Sequence, residues 1–175
     1  MKTLREIETG KTFKVADIEF VKAKETDKGT IVVTKDCLFD STFGTDNNLH
    51  KSKILKRLQE EILPKIEKVV GADNVLEFET DLTTLDGLKP YEPLKSKISL
   101  PTLDFYRENV AVFDEHNPDC WWWLATPESA NPHSTPTWIV CVAPSGDFDY
   151  GSRYNGNLGV RPILFFVSDI SVSEE

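Results

Sequence analysis

Trp121-Trp-Trp-Leu-Ala125, Trp138-Ile-Val-Cys-Val-Ala143 and Gly159-Val-Arg-Pro-Ile-Leu-Phe-Phe-Val167 are three intensely apolar runs, and together they decide the fold class. Each has the length and the aromatic or β-branched composition of a sheet strand. In an extended strand Trp121 and Trp123 point one way and Trp122 the other, so bulk reaches both faces of a sheet. Between these runs lie residues 126–137 and 144–158, rich in Gly, Pro, Ser and Asn. Strands that hold long irregular loops form an architecture in which the loops carry binding.

Upstream, the pattern changes. Phe13, Val15, Ile18 and Phe20-Val21 lead into Thr26-Asp-Lys-Gly29 and then Thr30-Ile-Val-Val-Thr34, which reads as strand, turn, strand. From residue 51 to 70 the apolar positions Ile54, Leu55, Leu58, Ile62, Leu63, Ile66, Val69 and Val70 recur at spacings of three and four. That spacing predicts an amphipathic helix, capped from Asn47 or Asn48 and closed at Gly71, with Pro64 either kinking it or dividing it in two. Val75-Leu-Glu-Phe78 is strand-like. A second short helix is expected over 101–111, started by Ser99 or Thr102.

The chain has 175 residues, with 20 basic and 29 acidic side chains and a formal net charge of −9. That is the size of one ordinary domain. Residues 98–175 contain three arginines, no lysine and 11 acidic residues. A half of that sign repels a phosphate backbone, so nucleic-acid binding is not expected. No apolar run is long enough to cross a membrane, so no membrane insertion is expected. Met1-Lys-Thr-Leu-Arg-Glu-Ile-Glu8 has no apolar segment of the secretory kind, which reads as cytoplasmic synthesis without a signal peptide.

The residues offer several chemistries. Cys37, Cys120 and Cys141 have no metal-like spacing and read as free thiols. His116 is near Cys120 and His133 near Cys141, but both cysteines sit in apolar surroundings and read as small core hydrophobes. Asp147 and Asp149, with Asn155 and Asn157, offer oxygen ligands of the kind calcium takes, although no Glu follows at the closing position of a calcium loop. No phosphate-cradling glycine motif occurs. The aromatic excess is more telling: Trp121, Trp122, Trp123, Trp138, Phe148, Tyr150 and Tyr154 fall close together, and the loop tyrosines are interleaved with Ser, Asn, Asp and Gly. That composition is the one binding loops use.

Trp122-Trp-Leu-Ala-Thr-Pro127, the Val-Cys-Val strand leading to Ser145-Gly146, and Gly159-Val-Arg-Pro-Ile-Leu164 resemble the DUF6273 domain of gut Firmicutes and their phages. Upstream segments beginning at Ile54, Asp81 and Lys97 resemble its N-terminal part. That domain is similar to the C-type lectin-like fold of formylglycine-generating-enzyme type, which also carries the variable proteins of diversity-generating retroelements. In those proteins, adenine-directed mutagenesis of Asn codons varies a ligand-binding surface and cannot produce Lys, Glu, Gln, Met or Trp. From Ser129 to Leu158 this chain contains no Lys, Glu, Gln or Met, and the resemblance makes Trp138 a fixed framework position.

The resemblance implies an α+β domain of C-type lectin-like fold. Residues 1–45 would form an N-terminal β-hairpin region. Residues 46–170 would form a core in which helices 51–70 and 101–111 pack beside one antiparallel sheet of strands 121–125, 138–143 and 160–167. Trp122, Trp123, Gly159, Arg161 and Pro162 would be scaffold, with the Arg161 guanidinium satisfying carbonyls beneath the loops. Loops 128–137 and 146–157 would be displayed. The first offers Asn131, His133, Ser134 and Thr135. The second offers Asp147, Asp149, Tyr150, Ser152, Arg153, Tyr154, Asn155 and Asn157. The implied function is non-enzymatic binding of a macromolecular ligand, protein or glycan, by a phage- or prophage-encoded display protein without a cofactor. The alternatives are an enzyme on the same fold, a calcium-dependent sugar-binding lectin, and a phage structural protein whose loops bind only other virion subunits.

Overall fold

The computed structural model describes residues 1–130 and 136–174. The N-terminal strands are β1 (Lys2–Thr3), β2 (Thr12–Val15), β3 (Ile18–Glu25), β4 (Thr30–Thr34) and β5 (Phe39–Asp40). The middle of the chain supplies α1 (Lys53–Arg57), α2 (Leu63–Val70), β6 (Phe78–Thr80), β7 (Leu94–Ser96), β8 (Ile98–Ser99), α3 (Leu103–Glu108) and α4 (Val110–Glu115). Then follow β9 (Trp122–Pro127), β10 (Trp138–Val142), β11 (Phe148–Ser152), β12 (Gly159–Val160), β13 (Ile163–Phe166) and β14 (Ser171–Glu174). The fold is α+β. Strand order is β1-β14-β2-β3-β4-β13-β8 in one sheet and β11-β10-β9-β12-β5 in a second, with β6-β7 a separate pair. All ladders are antiparallel except the contact of β12 with β9.

Alternation along the strands delivers side chains to two cores. Phe20, Val32, Trp123, Ala125, Ile139, Cys141 and Leu164 enter the larger one, together with Ile54, Leu58, Ile62 and Ile66 of the long helix. Their neighbours Val21, Val33, Trp122, Leu124, Val140, Val142 and Ile163 enter the other, with Leu103, Tyr106 and Phe113 of α3 and α4. Trp122 and Trp123 are both fully buried, on opposite sides. Each removes about 4–6 kcal/mol worth of apolar surface from water, taking 150–250 Å² at 25 cal/mol/Å².

The expected helix 51–70 is α1 and α2 joined by a π-type turn over Leu58–Ile62. The Leu63 N–H reaches back to the Leu58 carbonyl. Pro64 is the cause we assign: it has no N–H, and its ring clashes with the carbonyl four residues back, so the wider turn lets one helix continue past it. Its cap is Ser52, whose Oγ accepts from the Leu55 N–H at 2.9 Å, while Asn48 caps a short preceding turn. The second helix starts at Thr102 as expected, its hydroxyl accepting from the Phe105 N–H, and is broken at Asn109 into α3 and α4.

Three expectations need correction. The run from Gly159 to Val167 is not one strand of a sheet shared with β9 and β10. Gly159–Val160 joins the five-stranded sheet and Ile163–Phe166 the seven-stranded one. The chain changes sheets at Arg161-Pro162, where proline supplies no ladder N–H and the buried arginine binds the Thr34 and His116 carbonyls. Val75-Leu-Glu-Phe78 is not a continuous strand: Val75 makes an isolated bridge to Phe166, and β6 begins at Phe78. Finally, the segment 146–157 is only partly a loop, because Phe148–Ser152 pairs with all five residues of β10. Residues 1–45 supply β2, β3 and β4 to the middle of the larger sheet, with Phe13 and Phe20 fully buried.

Candidate functional site

The β10–β11 hairpin carries the most unusual surface. Trp138 faces Ser152, Val140 faces Tyr150 and Val142 faces Phe148. Val140 and Val142 are covered by α3 and α4, but the hairpin extends beyond that cover. Trp138 is consequently 48% exposed, Phe148 49%, Tyr150 44% and Tyr154, in the following loop, 67%. The opposite face is pinned. Gly151 lies against Trp123, where a Cβ would come within 2.7 Å of the indole ring and 2.9 Å of the Leu158 side chain. The hairpin tip is held from below. Asn117 Nδ2 donates to the Ala143 and Pro144 carbonyls at 3.0 and 2.9 Å, and its Oδ1 accepts from Trp122 Nε1. The Tyr106 hydroxyl donates to the Gly146 carbonyl. At the far end, the Arg153 N–H donates to the Thr137 carbonyl, and the Phe43 N–H donates to the Arg153 carbonyl.

The expected display residues do not all share one face. Tyr150 and Ser152 lie with Trp138 and Phe148, whereas Asp149 stands opposite Cys141 on the other side of the strand. Asp147 is at the exposed tip, accepting from Ser145 Oγ at 3.1 Å. Tyr154, Asn155 and Asn157 are exposed beyond the strand, and Arg153 is half-buried with its guanidinium 4.5 Å from the Tyr154 ring centroid. Asn131, His133, Ser134 and Thr135 lie outside the described residues. Sequence reading missed two members of this surface. Trp138, expected as a fixed framework position, is half-exposed, and Phe148 belongs to the exposed set; both share the parity of Val140, but parity alone does not tell where helical cover stops.

A second feature had no sequence signal. A cleft of about 530 Å³ opens between β6 with the segment that follows it, α3 and β13. Phe78, Leu103, Phe105, Ile163 and Phe165 form apolar walls. Glu79, Asp81, Asp104 and Glu108 contribute carboxylates, and Arg107, ion-paired with Asp104, is the single basic lining residue among those described. Thr83 donates to Asp81 from both its hydroxyl and its N–H, at 2.7 and 2.9 Å, which holds that carboxyl below its ordinary value. Arg107 also lines a shallow hollow with Val110, Gly146, Asp147 and Phe148, so the cleft and the hairpin tip lie on one continuous surface.

The thiols divide into a pair and a single. Burial, and then the Asp149 charge, push the Cys141 thiol up to about 12. Burial is also the main cause of an upward shift at Cys37, whose sulfur lies 3.0 Å from that of Cys120. The His116 Nε2 lies 2.8 Å from the Gly10 carbonyl. Among the described residues no three His, Cys, Asp or Glu side chains gather as a metal-binding group. No described helix is long and apolar enough to cross a membrane.

Arg161 is fully buried beside the stacked Phe113 and Trp122 rings, with its guanidinium carbon 5.3 and 5.0 Å from their ring centroids. Nε donates to the Thr34 carbonyl at 2.6 Å and one Nη to the His116 carbonyl at 3.2 Å, as a carbonyl-binding scaffold residue should. Its other Nη is buried without a hydrogen-bond partner among the described residues. Desolvation lowers its pKa to about 10.

Comparison with known proteins returned no matching family model, no matching curated protein and no matching solved structure.

Proposed function

We propose that this chain is a non-enzymatic recognition protein whose ligand, a macromolecule, docks on the outer face of the β10–β11 hairpin and the loop after it. The observation that carries this reading is the group of four solvent-facing aromatics, Trp138, Phe148, Tyr150 and Tyr154, on a hairpin whose other face is fixed to Trp123. Trp and Tyr give large contact area at little rotamer cost, and a rigid backing lowers the entropy lost on docking. Asp147 at the tip and the carboxylates of the adjoining cleft favour a ligand with basic groups.

The same reading takes the chain as a phage- or prophage-encoded display domain of C-type lectin-like fold, resembling retroelement-diversified variable proteins. Two features support it. Helices α3 and α4 lie against the sheet that carries the hairpin. Asp147, Tyr150, Tyr154, Asn155 and Asn157 are also solvent-facing while Trp122, Trp123 and Arg161 are fully buried, as a displayed surface on a fixed support requires.

The test compares wild type with Trp138→Ala and Tyr150→Ala on arrays of immobilised bacterial surface proteins and polysaccharides. The expected result is a ligand whose affinity falls about 30-fold in each variant, the value for a 2 kcal/mol anchor, while the melting temperature is unchanged. Ligand binding that is indifferent to both substitutions overturns the proposal.

A further inference from the structure

We propose that Cys37 and Cys120 are a redox site: a dithiol that closes reversibly into a disulfide by exchange with a small disulfide of the glutathione type. The two residues are 83 positions apart in sequence, yet their sulfurs are 3.0 Å apart, about 1 Å beyond a covalent S–S bond. Neither belongs to the recognition surface proposed above, so the two proposals stand or fall separately.

Three structural features place the sulfurs together. The first is strand pairing. Cys37 precedes β5 and Cys120 precedes β9, and β12 runs between those two strands. Gly159 is opposite Asp40 on one side and Trp122 on the other. The Leu38 N–H donates to the Val160 carbonyl at 2.9 Å, and the Gly159 N–H donates to the Trp121 carbonyl at 2.7 Å. The residues following each cysteine are thus tied to the same short strand, and closing the bond asks for little backbone movement.

The second feature is the missing side chain at position 159. A Cβ there would lie 2.3 Å from Cys37 Sγ and 3.5 Å from Cys120 Sγ. The Cys37 sulfur therefore occupies space that only glycine leaves open, and the Cys120 sulfur packs against the same position at contact distance.

The third is Arg161, two residues further along. One of its guanidinium nitrogens is buried and unpartnered among the described residues, and its positive charge acts on Cys37 in the sense that favours the thiolate, against the opposing effect of burial. The attacking species in exchange is the thiolate; burial and the neighbouring Cys120 disfavour it at Cys37, and the Arg161 charge offsets part of that.

The chemistry balances without a metal or an electron carrier. One thiol of the pair loses its proton, and its sulfur attacks the small disulfide, forming a mixed disulfide and expelling one small thiolate, which takes up a proton. The second cysteine, deprotonated in turn, attacks the protein-side sulfur of that mixed disulfide and expels the other small thiolate. The protein loses two electrons and two protons, and the small disulfide becomes two thiols. An excess of the reduced thiol drives the sequence backwards. Cys141 takes no part: it is buried in β10 on the side of the strand that Asp149 shares.

The test incubates the full chain, first reduced, with excess oxidised glutathione, and then quenches it with an alkylating agent under denaturing conditions. The expected product is lighter than the reduced protein by two hydrogens, takes up one alkyl group, at Cys141, and gives a Cys37–Cys120 linked peptide on digestion. Its melting temperature rises by about 10 °C over the reduced form, the size expected for cross-linking so long a loop in a domain of this length. Cys141→Ala keeps the cross-link and the shift. Cys37→Ser and Cys120→Ser lose both and carry one glutathione adduct. Three alkyl groups after oxidation, stable glutathione adducts on the wild-type pair, or a cross-link that includes Cys141 would each overturn the proposal. The mass readout on wild type decides the matter even if a variant does not fold.

Discussion

Gly151→Ala is the sharpest probe of how the exposed hairpin is held, because two effects of opposite sign meet there. Gly151 has no left-handed backbone requirement, so alanine costs nothing in φ. On backbone entropy alone, replacing glycine inside a strand should stabilise the protein by about 0.5–1 kcal/mol. The packing says otherwise. The new methyl would come 2.7 Å from Trp123 Cζ3 and 2.9 Å from both Trp123 Cη2 and Leu158 Cδ2, with Trp123 itself fully buried. Overpacking of a tight core costs about 1–3 kcal/mol, so the net change should be destabilising by about 1–2 kcal/mol. At about 2–4 °C per kcal/mol for a chain of this length, the melting temperature falls by about 2–8 °C. Thermal unfolding followed by near-ultraviolet circular dichroism measures it. Trp123→Phe removes the two indole atoms nearest the methyl, so Gly151→Ala should cost at least about 1 kcal/mol less in that background than in wild type. A Gly151→Ala protein as stable as wild type, or costs that simply add, would refute the claim that β11 rests on Trp123.

Two further outcomes follow from buried charge. Arg161→Ala strands the Thr34 and His116 carbonyls and leaves a cavity beside the stacked Phe113 and Trp122, and should cost about 3–5 kcal/mol in urea unfolding; a cost below about 1 kcal/mol would show that the guanidinium is not structural. Burial acts to raise the Glu25 pKa, but hydrogen bonds from Lys22, Ser168 and Thr30 outweigh it and hold the carboxyl below its ordinary value. A depressed folded-state pKa means stability that is present above the unfolded value near 4.3 and lost as the pH falls through the folded one. Glu25→Gln should therefore flatten the decline of melting temperature below about pH 4.5, and an unchanged acid limb would contradict the assignment.

Local periodicity carried much of the architecture. The parity of Trp122 against Trp123, and of Ile139 and Cys141 against Val140 and Val142, is already a statement about two faces, and the structure has a core on each. The spacing of Ile54, Leu58, Ile62 and Ile66 marked one buried helix face in the same way. Pairing partners were not legible. Gly-Val-Arg-Pro-Ile-Leu reads as continuous because a strand's apolar pattern does not record which neighbour each half joins. Strand β11 was hidden because Asp, Gly and Ser are poor strand formers, and its ladder depends on a well-packed β10. The cleft and the Cys37–Cys120 contact arise from segments far apart in sequence, and nothing in either segment names the other.

The first and last strands of the described chain pair with each other, Lys2 opposite Val172 and Thr3 opposite Ser171. Neighbouring strands are about 4.8 Å apart, so the chain enters and leaves the fold through almost the same point. A loop of another protein can accept the unit as a guest with both junctions side by side, and a short linker between the two ends should yield a circular permutant opened elsewhere. Both junctions fall in the seven-stranded sheet, whereas the aromatic hairpin edges the other one. Grafting would leave the exposed side chains uncut, making the fold a cassette for carrying that hairpin into a foreign scaffold.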